Sequence, residues 1–226
     1  MGEHASLLER LTPVARDRGF PDDPETLLHL VRYLEAVLVA NQRVNLTAAR
    51  DLDRAVDVLA LSALAVSRAV ASAPRRVVDL GTGNGLPGVA AALAWPEAQV
   101  LLVERRGRKA QAVRSCVEAV ELPSTQVAVC DGRELLREHP EVAANTDLVT
   151  VRAVGSLDEA VRMAAPWLAP GGRIAHWKGR ALSAEESRAG AAAARGADLD
   201  VLPVLTFEDE AGPGHLVLYE RPPQRG

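Results

Sequence analysis

Residues 77–88, VVDLGTGNGLPG, combine an apolar run with four glycines in eight residues and a proline. The spacing of Gly83, Gly85 and Gly88 satisfies the G-x-G-x-x-G pattern of dinucleotide-binding loops, in which a bare backbone lets a ligand approach closely. The same glycines are also compatible with a purely structural turn. By itself this loop is a weak signal for a cofactor site.

Glu104 strengthens that signal. It ends the next apolar run, QVLLVE, and follows Gly85 by 19 residues. A carboxylate at this place can accept hydrogen bonds from both hydroxyls of a ribose. The loop and the acid together favour an adenosine-containing cofactor over a structural turn.

Two further acids indicate which adenosine cofactor is bound. Asp79 stands just before the glycines, and Asp131 follows the third apolar run, TQVAVC. Carboxylates would repel a pyrophosphate, whereas they suit ribose hydroxyls, an adenine amino group, an α-ammonium and a sulfonium cation. We therefore predict S-adenosylmethionine rather than NAD. For Asp131 the alternative is a helix N-cap.

The segments around these residues predict an α/β protein. Residues 1–74 have helical periodicity, with Asp23 and Pro24 opening a second helix and a third helix across residues 51–71. From Arg76 onward, seven β-branched runs alternate with helix-length segments, which indicates a mostly parallel seven-stranded sheet. The last two runs, 199–205 and 215–220, have no helix between them and predict an antiparallel edge. We expect a helical extension (1–74) and a cofactor-binding domain (75–226) in one compact unit.

Composition limits the classes of function. The net charge of −4, from 30 acidic and 26 basic residues, argues against non-specific coating of nucleic acid. A local basic run at 105–114 predicts either a patch for a polyanion or a solvated helix face.

The five histidines are scattered, and no HExxH or paired CxxC motif is present, so we predict no metal site. The N-terminus lacks the pattern of a signal peptide, and we expect a cytoplasmic protein.

Several motifs occur together in a specific order. They are NLTA (45–48), VVDLGTGNGLPG, the arginine of VTVRAVGSL, GGRIAHWKG and the final GHLVLYE. In these motifs the chain resembles the bacterial small-subunit ribosomal RNA methyltransferase G family, also called glucose-inhibited division protein B. The resemblance implies a Rossmann-like class I methyltransferase that transfers methyl from S-adenosylmethionine to N7 of one guanosine in 16S rRNA.

The resemblance also implies roles for individual residues. Gly81 and Leu86 match the cofactor loop, Gly132 and Arg133 match the pair that borders the adenine, and Arg152 matches an arginine beside the cofactor. Lys178 matches the Lys-Gly pair near the fifth strand. The predicted cofactor site comprises Asp79, Gly81, Gly83, Leu86, Glu104, Gly132, Arg133 and Arg152, and the predicted catalytic residues are Arg152 and Lys178.

Guanine N7 carries a free lone pair and no proton, so its methylation requires no general base. Arg152 and Lys178 are expected to contact RNA phosphate or the O6 edge of guanine, with salt bridges at the strand ends as the alternative. Ser62 and Asn45 are candidates for additional hydrogen bonds, with a turn cap as the alternative for Asn45.

Three positions depart from the family pattern. An HxxDS motif is expected at 58–62, where the chain has Val58 and Leu61 and keeps Ser62, and an expected arginine is Gly214. These departures keep two alternatives open: a methyltransferase for another RNA or a small molecule, and a non-catalytic regulator that binds S-adenosylmethionine. The expected partner is 16S rRNA or the small ribosomal subunit, with no DNA, no membrane and a monomeric state.

Overall fold

The structure, a computed structural model, describes residues 2–179, 182–209 and 212–224. Its central sheet has helices on both faces, so the predicted α/β class is confirmed. Among the described residues, no helix has the length and apolar character needed to cross a bilayer.

The first two helices form as their sequence predicts. Helix α1 covers Gly2–Asp17, and α2 covers Pro24–Asn41. The Asp23 carboxylate caps α2 by accepting from the Thr26 backbone N–H at 2.9 Å, which satisfies one of the free donors of the first turn. The apolar stripe of α2 is buried against the rest of the molecule.

The predicted third helix is present but interrupted, and we call residues 52–69 the broken helix. It consists of α3 (Leu52–Ala55), a π-helical turn (Val56–Ala60), α4 (Leu61–Ala63) and a 3₁₀ turn (Leu64–Ala69). Four of its carbonyl groups, at residues 58, 59, 61 and 62, accept hydrogen bonds from side chains elsewhere in the chain. Side chains that bond to helix carbonyls in this way interrupt the regular ladder.

The sheet has eight strands in the order β3-β2-β1-β4-β5-β8-β6, with β7 also paired to β8. Strands β1 to β5 pair in parallel, and β8 runs antiparallel to β5. The strands are β1 (Arg76–Leu80), β2 (Gln99–Val103), β3 (Thr125–Ala128), β4 (Thr146–Arg152), β5 (Leu168–Lys178), β6 (Asp200–Val201), β7 (Leu205–Asp209) and β8 (Gly212–Glu220).

The strand count corrects one detail of the prediction. Residues 199–205, predicted as one strand, contribute two short strands, β6 and the start of β7, which both pair with the outer edge of β8. Pro203 lies between them and has no backbone N–H to donate to a ladder, which accounts for the break. Residues 210 and 211, in the connection predicted to lack a helix, lie outside the described residues.

The remaining helices pack on the two faces of the sheet. They are α5 (Gly88–Ala94), α6 (Gly107–Ala119), α7 (Leu135–Glu138), α8 (Leu157–Ala164) and α9 (Ala184–Gly196), and short 3₁₀ turns cover Gly132–Glu134, Pro140–Val142 and Ala165–Trp167. One core cluster joins the N-terminal helices, the broken helix, α5 and α6 to one face of the sheet. A second cluster joins the opposite face to α7, α8 and α9. The N-terminal helices therefore share a hydrophobic core with the sheet.

Candidate functional site

A cavity of about 600 Å³ opens at the carboxyl ends of β1, β2, β3 and β4. The chain runs from β1 outward to β3 on one side and returns to β4 on the other, so β1 and β4 flank a topological switch point. Open α/β sheets bind ligands at this place, and the volume lies in the range of small-molecule sites. The lining comes from the glycine loop and from the segments that follow β2, β3 and β4.

The glycine loop, residues 81–88, forms one wall of the cavity. Gly81, Gly83 and Gly85 have φ angles of +67°, +59° and +91°, which residues with a side chain rarely adopt. A Cβ at Gly83 would meet only the Gly81 carbonyl at 3.7 Å, so its requirement for glycine is conformational. A Cβ at Gly81 would overlap Val154, from the loop after β4. The two loops are thus in direct contact beside the cavity.

Asp79 is placed beneath this loop and is only 1% exposed. Its carboxylate accepts from the Thr82 hydroxyl at 2.5 Å, the Thr150 hydroxyl at 2.6 Å and the Gly88 backbone N–H at 3.2 Å. Burial raises its pKa to about 6, against the opposing effect of these three donors and of Arg152. Asp79 is not among the residues that line the cavity, so its carboxylate fixes the loop from below.

Glu104 does line the cavity, although it is only 7% exposed. Its Oε1 atom accepts from the Arg106 backbone N–H at 2.8 Å, which fixes the side chain at the end of β2. A carboxylate has about four lone-pair sites, so acceptor capacity remains for a ligand. This geometry fits the predicted ribose acceptor.

The segment after β3 contributes Asp131, Gly132 and Arg133 to the lining. The Asp131 carboxylate caps a short 3₁₀ turn by accepting from the Arg133 N–H at 3.0 Å, which is the N-cap alternative considered above. A Cβ at Gly132 would lie 2.5 Å from Leu80 Cδ1 and from Met163 Sδ. Glycine is therefore needed here for close packing at the floor of the cavity.

Arg152 ends β4 and lines the cavity, but its guanidinium is also engaged with the broken helix. It donates to the Val58 carbonyl at 2.5 Å and to the Leu59 carbonyl at 3.1 Å. Arg152 therefore connects the loop after β4 to the π-helical turn, a contact that sequence reasoning did not anticipate.

Lys178 lies outside the lining of this cavity. Its Nζ is 2.5 Å from Oε1 of Glu186 on α9, which is the salt-bridge alternative considered above. At Gly214, a Cβ would overlap the Phe207 ring, so that ring occupies the space where a side chain would begin. The ring also lies 4.8 Å from the guanidinium carbon of Arg18. Lys178 and Gly214 thus belong to the β5–β8 region, which contributes none of its described residues to the cavity lining.

Basic side chains surround the β2 and β3 side of the cavity, and we call this group the basic rim. It consists of Arg105, Arg106, Lys109 and Arg133. Asp131 balances part of the charge, with its carboxylate 3.9 Å from Arg105. Among the described residues, no group of three or more His, Cys, Asp or Glu side chains could hold a metal ion.

Sequence reasoning missed three residues near the cavity, Tyr33, Asn41 and Leu46. Leu46 lines the cavity, whereas Asn45, the candidate in the same NLTA motif, is exposed at the surface. Tyr33 and Asn41, both on α2, hydrogen-bond to loops of the site. Tyr33 reaches a residue 51 positions away, which is why periodicity alone could not identify its contact. NLTA itself was the available signal for Leu46.

Known proteins resemble this chain in sequence. A family model described as rRNA small subunit methyltransferase G matches residues 26–209. The protein named ribosomal RNA small subunit methyltransferase G of Chloroflexus aggregans is 35% identical over 163 residues, 72% of this chain and 68% of the relative. The protein of the same name from Roseiflexus castenholzii is 32% identical over 188 residues, 83% of this chain and 80% of the relative.

Solved structures resemble the chain in fold. The crystal structure of cofactor-bound Rv0187 from MTB superposes with a TM-score of 0.61 at 19% identity, covering 85% of this chain and 90% of that one. A putative O-methyltransferase from Klebsiella pneumoniae gives a TM-score of 0.57 at 19% identity, with coverage of 84% and 90%. At these identities the likeness concerns the fold alone, and both structures have the predicted α/β architecture.

Proposed function

The chain belongs to the family of rRNA small subunit methyltransferase G, and from that membership we propose that it methylates N7 of a guanosine in 16S rRNA of the small ribosomal subunit. It is an S-adenosylmethionine-dependent methyltransferase whose substrate class is ribosomal RNA. The observation that carries the finer proposal is the open cavity at the β1–β4 switch point, with an acid inside and basic side chains around it. A cytoplasmic location, a monomeric state and a domain boundary at 74/75 are further parts of the proposal.

The residues of the cavity fit S-adenosylmethionine. In the proposal, Glu104 accepts from the ribose hydroxyls, and Gly132 and Arg133 border the adenine. The backbone of Gly81 and Gly83, with Leu86, faces the methionine part, because this loop adjoins β4 on the other side of β1. Asp79 is a positioning residue in this arrangement, since its carboxylate holds Thr82 and Gly88 at the two ends of the loop.

The bound cofactor supplies an electrophilic methyl group on a sulfonium. The protein then has to orient guanine so that the N7 lone pair lies in line with that methyl at about 3–3.5 Å. No side chain has to remove a proton from N7. Catalysis in this proposal is positioning and electrostatics.

Arg152 is the proposed catalytic residue in the cavity, because its cation lies where the loop after β4 and the broken helix meet. It is suited to hydrogen-bond the O6 edge of guanine or a neighbouring phosphate. Lys178 keeps a proposed role outside the cavity. In this role its ammonium group leaves the ion pair with Glu186 and contacts RNA. Ser62 remains a candidate for a hydrogen bond nearby.

The test is to map N7-methylguanosine in 16S rRNA from cells with and without the gene. Small-subunit particles from the deletion strain are then incubated with purified protein and S-adenosylmethionine. We expect one modified guanosine to be lost in the strain and restored in vitro. Methylation of a different RNA or of a small molecule would favour the first alternative. Cofactor binding without any transfer would favour the regulator.

A further inference from the structure

Helix α2 contacts two separate parts of the proposed cofactor site through Tyr33 and Asn41. The two residues are about 12 Å apart along the helix axis. Neither side chain lines the cavity, so neither is placed to touch the cofactor. Each instead binds the backbone of a segment that does line it.

Tyr33 binds the glycine loop. The side chain is fully buried, and its Oη donates to the Asn84 carbonyl at 2.9 Å. Burial raises the pKa of the phenol well above its ordinary value, so the group remains a donor throughout the physiological range. The ring also fills the space beside Gly85, where a Cβ would overlap Oη. This phenol thus fixes the loop between Asn84 and Leu86, both of which line the cavity.

Asn41 binds the segment that carries Leu46. Its Oδ1 accepts from the Leu46 N–H at 2.8 Å and from the Thr47 N–H at 3.0 Å. Its Nδ2 donates to the Thr47 carbonyl at 3.0 Å. The single Asn41 amide therefore binds two backbone N–H groups and one backbone carbonyl of this turn. Leu46, which belongs to the turn, lines the cavity.

We propose that Tyr33 and Asn41 are positioning residues for cofactor binding, Tyr33 acting through the glycine loop and Asn41 through Leu46. The proposal rests on the proposed cofactor site. It assigns to the N-terminal extension an indirect part in binding S-adenosylmethionine, because its side chains hold two segments that line the cavity. Because α2 holds both segments, their separation is set by a rigid helix.

The first test compares the only two tyrosines of the chain. Tyr33→Phe removes one hydroxyl and keeps the ring, and Tyr219→Phe makes the same change at a buried site on β8. Calorimetry gives the Kd of S-adenosylmethionine, and denaturant unfolding gives the stability. We expect Tyr33→Phe to raise the Kd about 3- to 10-fold, which corresponds to the loss of one hydrogen bond. Tyr219→Phe should leave the Kd within about twofold.

The second test uses Asn41→Ala with Asn41→Asp as the conservative variant. Aspartate keeps the acceptors for the Leu46 and Thr47 N–H groups, so we expect it to recover most of an approximately 10-fold rise in Kd caused by alanine. Gln42→Ala, at the exposed neighbouring position, is the control. Steady-state kinetics should show the effect in KM for the cofactor and little change in kcat.

The outcomes separate the two proposals. Failure of the wild-type protein to bind S-adenosylmethionine would refute the cofactor site itself. Normal wild-type binding, with Tyr33→Phe no weaker than Tyr219→Phe at equal stability, would overturn the role of Tyr33. Likewise, equal Kd values for Asn41→Ala and Gln42→Ala would overturn the role of Asn41.

Discussion

The glycine loop lines the cavity and the broken helix is joined to it through Arg152, and the two regions are held in different ways. Within the glycine loop and the strand before it, Asp79 binds Thr82 and Gly88, and Asn84 Oδ1 binds the Leu86 N–H, all within nine residues. The broken helix is held from 43 to 115 residues away, through Arg18, Arg152 and Trp177. The first region also receives hydrogen bonds from Tyr33 and Thr150, farther along the chain, but its internal bonds are local, whereas these contacts of the second region are tertiary.

This difference bears on the three departures from the family pattern. Val58 and Leu61 are in the broken helix, and Gly214 lies against Phe207. Arg18, in the turn just after α1, approaches this region, donating to the Leu61 and Glu208 carbonyls and lying against the Phe207 ring. The departures therefore fall where side chains from distant segments determine the structure, while the locally determined loop keeps its motif.

The largest effect should come from a substitution in the glycine loop. Gly85→Ala places a Cβ against Tyr33 Oη at a residue with φ of +91°. We expect a loss of at least about 3 kcal/mol in the free energy of unfolding and no measurable binding of S-adenosylmethionine. The control is Gly171→Ala, which has φ of +79° and open space around the Cβ. It should cost only about 1–2 kcal/mol and leave binding intact. If the two variants lose similar amounts of the free energy of unfolding, the overlap with Tyr33 is not what makes Gly85 necessary.

The broken helix should respond in stability and not in cofactor affinity. Arg18→Met leaves the Leu61 and Glu208 carbonyls without this donor in a buried site, so we expect a loss of about 2–4 kcal/mol in the free energy of unfolding. The Kd of S-adenosylmethionine at a permissive temperature should change less than about twofold. Arg16→Met is the matched control, because Arg16 is exposed and pairs only at the surface with Asp22. A large rise in Kd for Arg18→Met would remove the distinction between the two regions.

The same distinction explains what could be predicted from sequence. The glycine loop, the Asp23 cap and the strand–helix alternation depend on residues close in sequence, and these predictions match the structure. The position of Glu104 could also be deduced from the sequence, because parallel strands end at one edge of the sheet. The π-helical turn could not, since it accompanies a contact from Arg152, more than ninety residues later. The ion pair of Lys178 with Glu186 likewise depends on how α9 packs.

A substitution of Glu104 tests whether this one charged group recognises the cofactor. Glu104→Ala should weaken binding of S-adenosylmethionine by about 1.5–3 kcal/mol, because the ribose hydroxyls lose a charged acceptor. Calorimetry measures this effect, and NAD should bind neither form. Glu118→Ala, an exposed acid on α6, is the control and should bind like the wild type. If both variants bind equally well, the ribose is recognised by other groups.

The smallest effect concerns the basic rim, which lies at the cavity but outside both regions compared above. Arg106 and Lys109 line the cavity, and if they contact rRNA phosphates, each contact contributes about 0.7–0.9 to the slope of log affinity against log salt. The double variant Arg106→Ser/Lys109→Ser should therefore lower the slope for binding to small-subunit particles by about 1.4–1.8. Its S-adenosylmethionine affinity should remain nearly unchanged, since the Glu104 contact uses only the backbone of Arg106. Arg188→Ser/Arg195→Ser, which removes two exposed arginines from α9, is the charge-matched control and should keep the wild-type slope. Equal slopes for the two double variants would show that RNA approaches the cavity from another side, and the broken helix with Arg152 would then be the first place to look for its phosphate contacts.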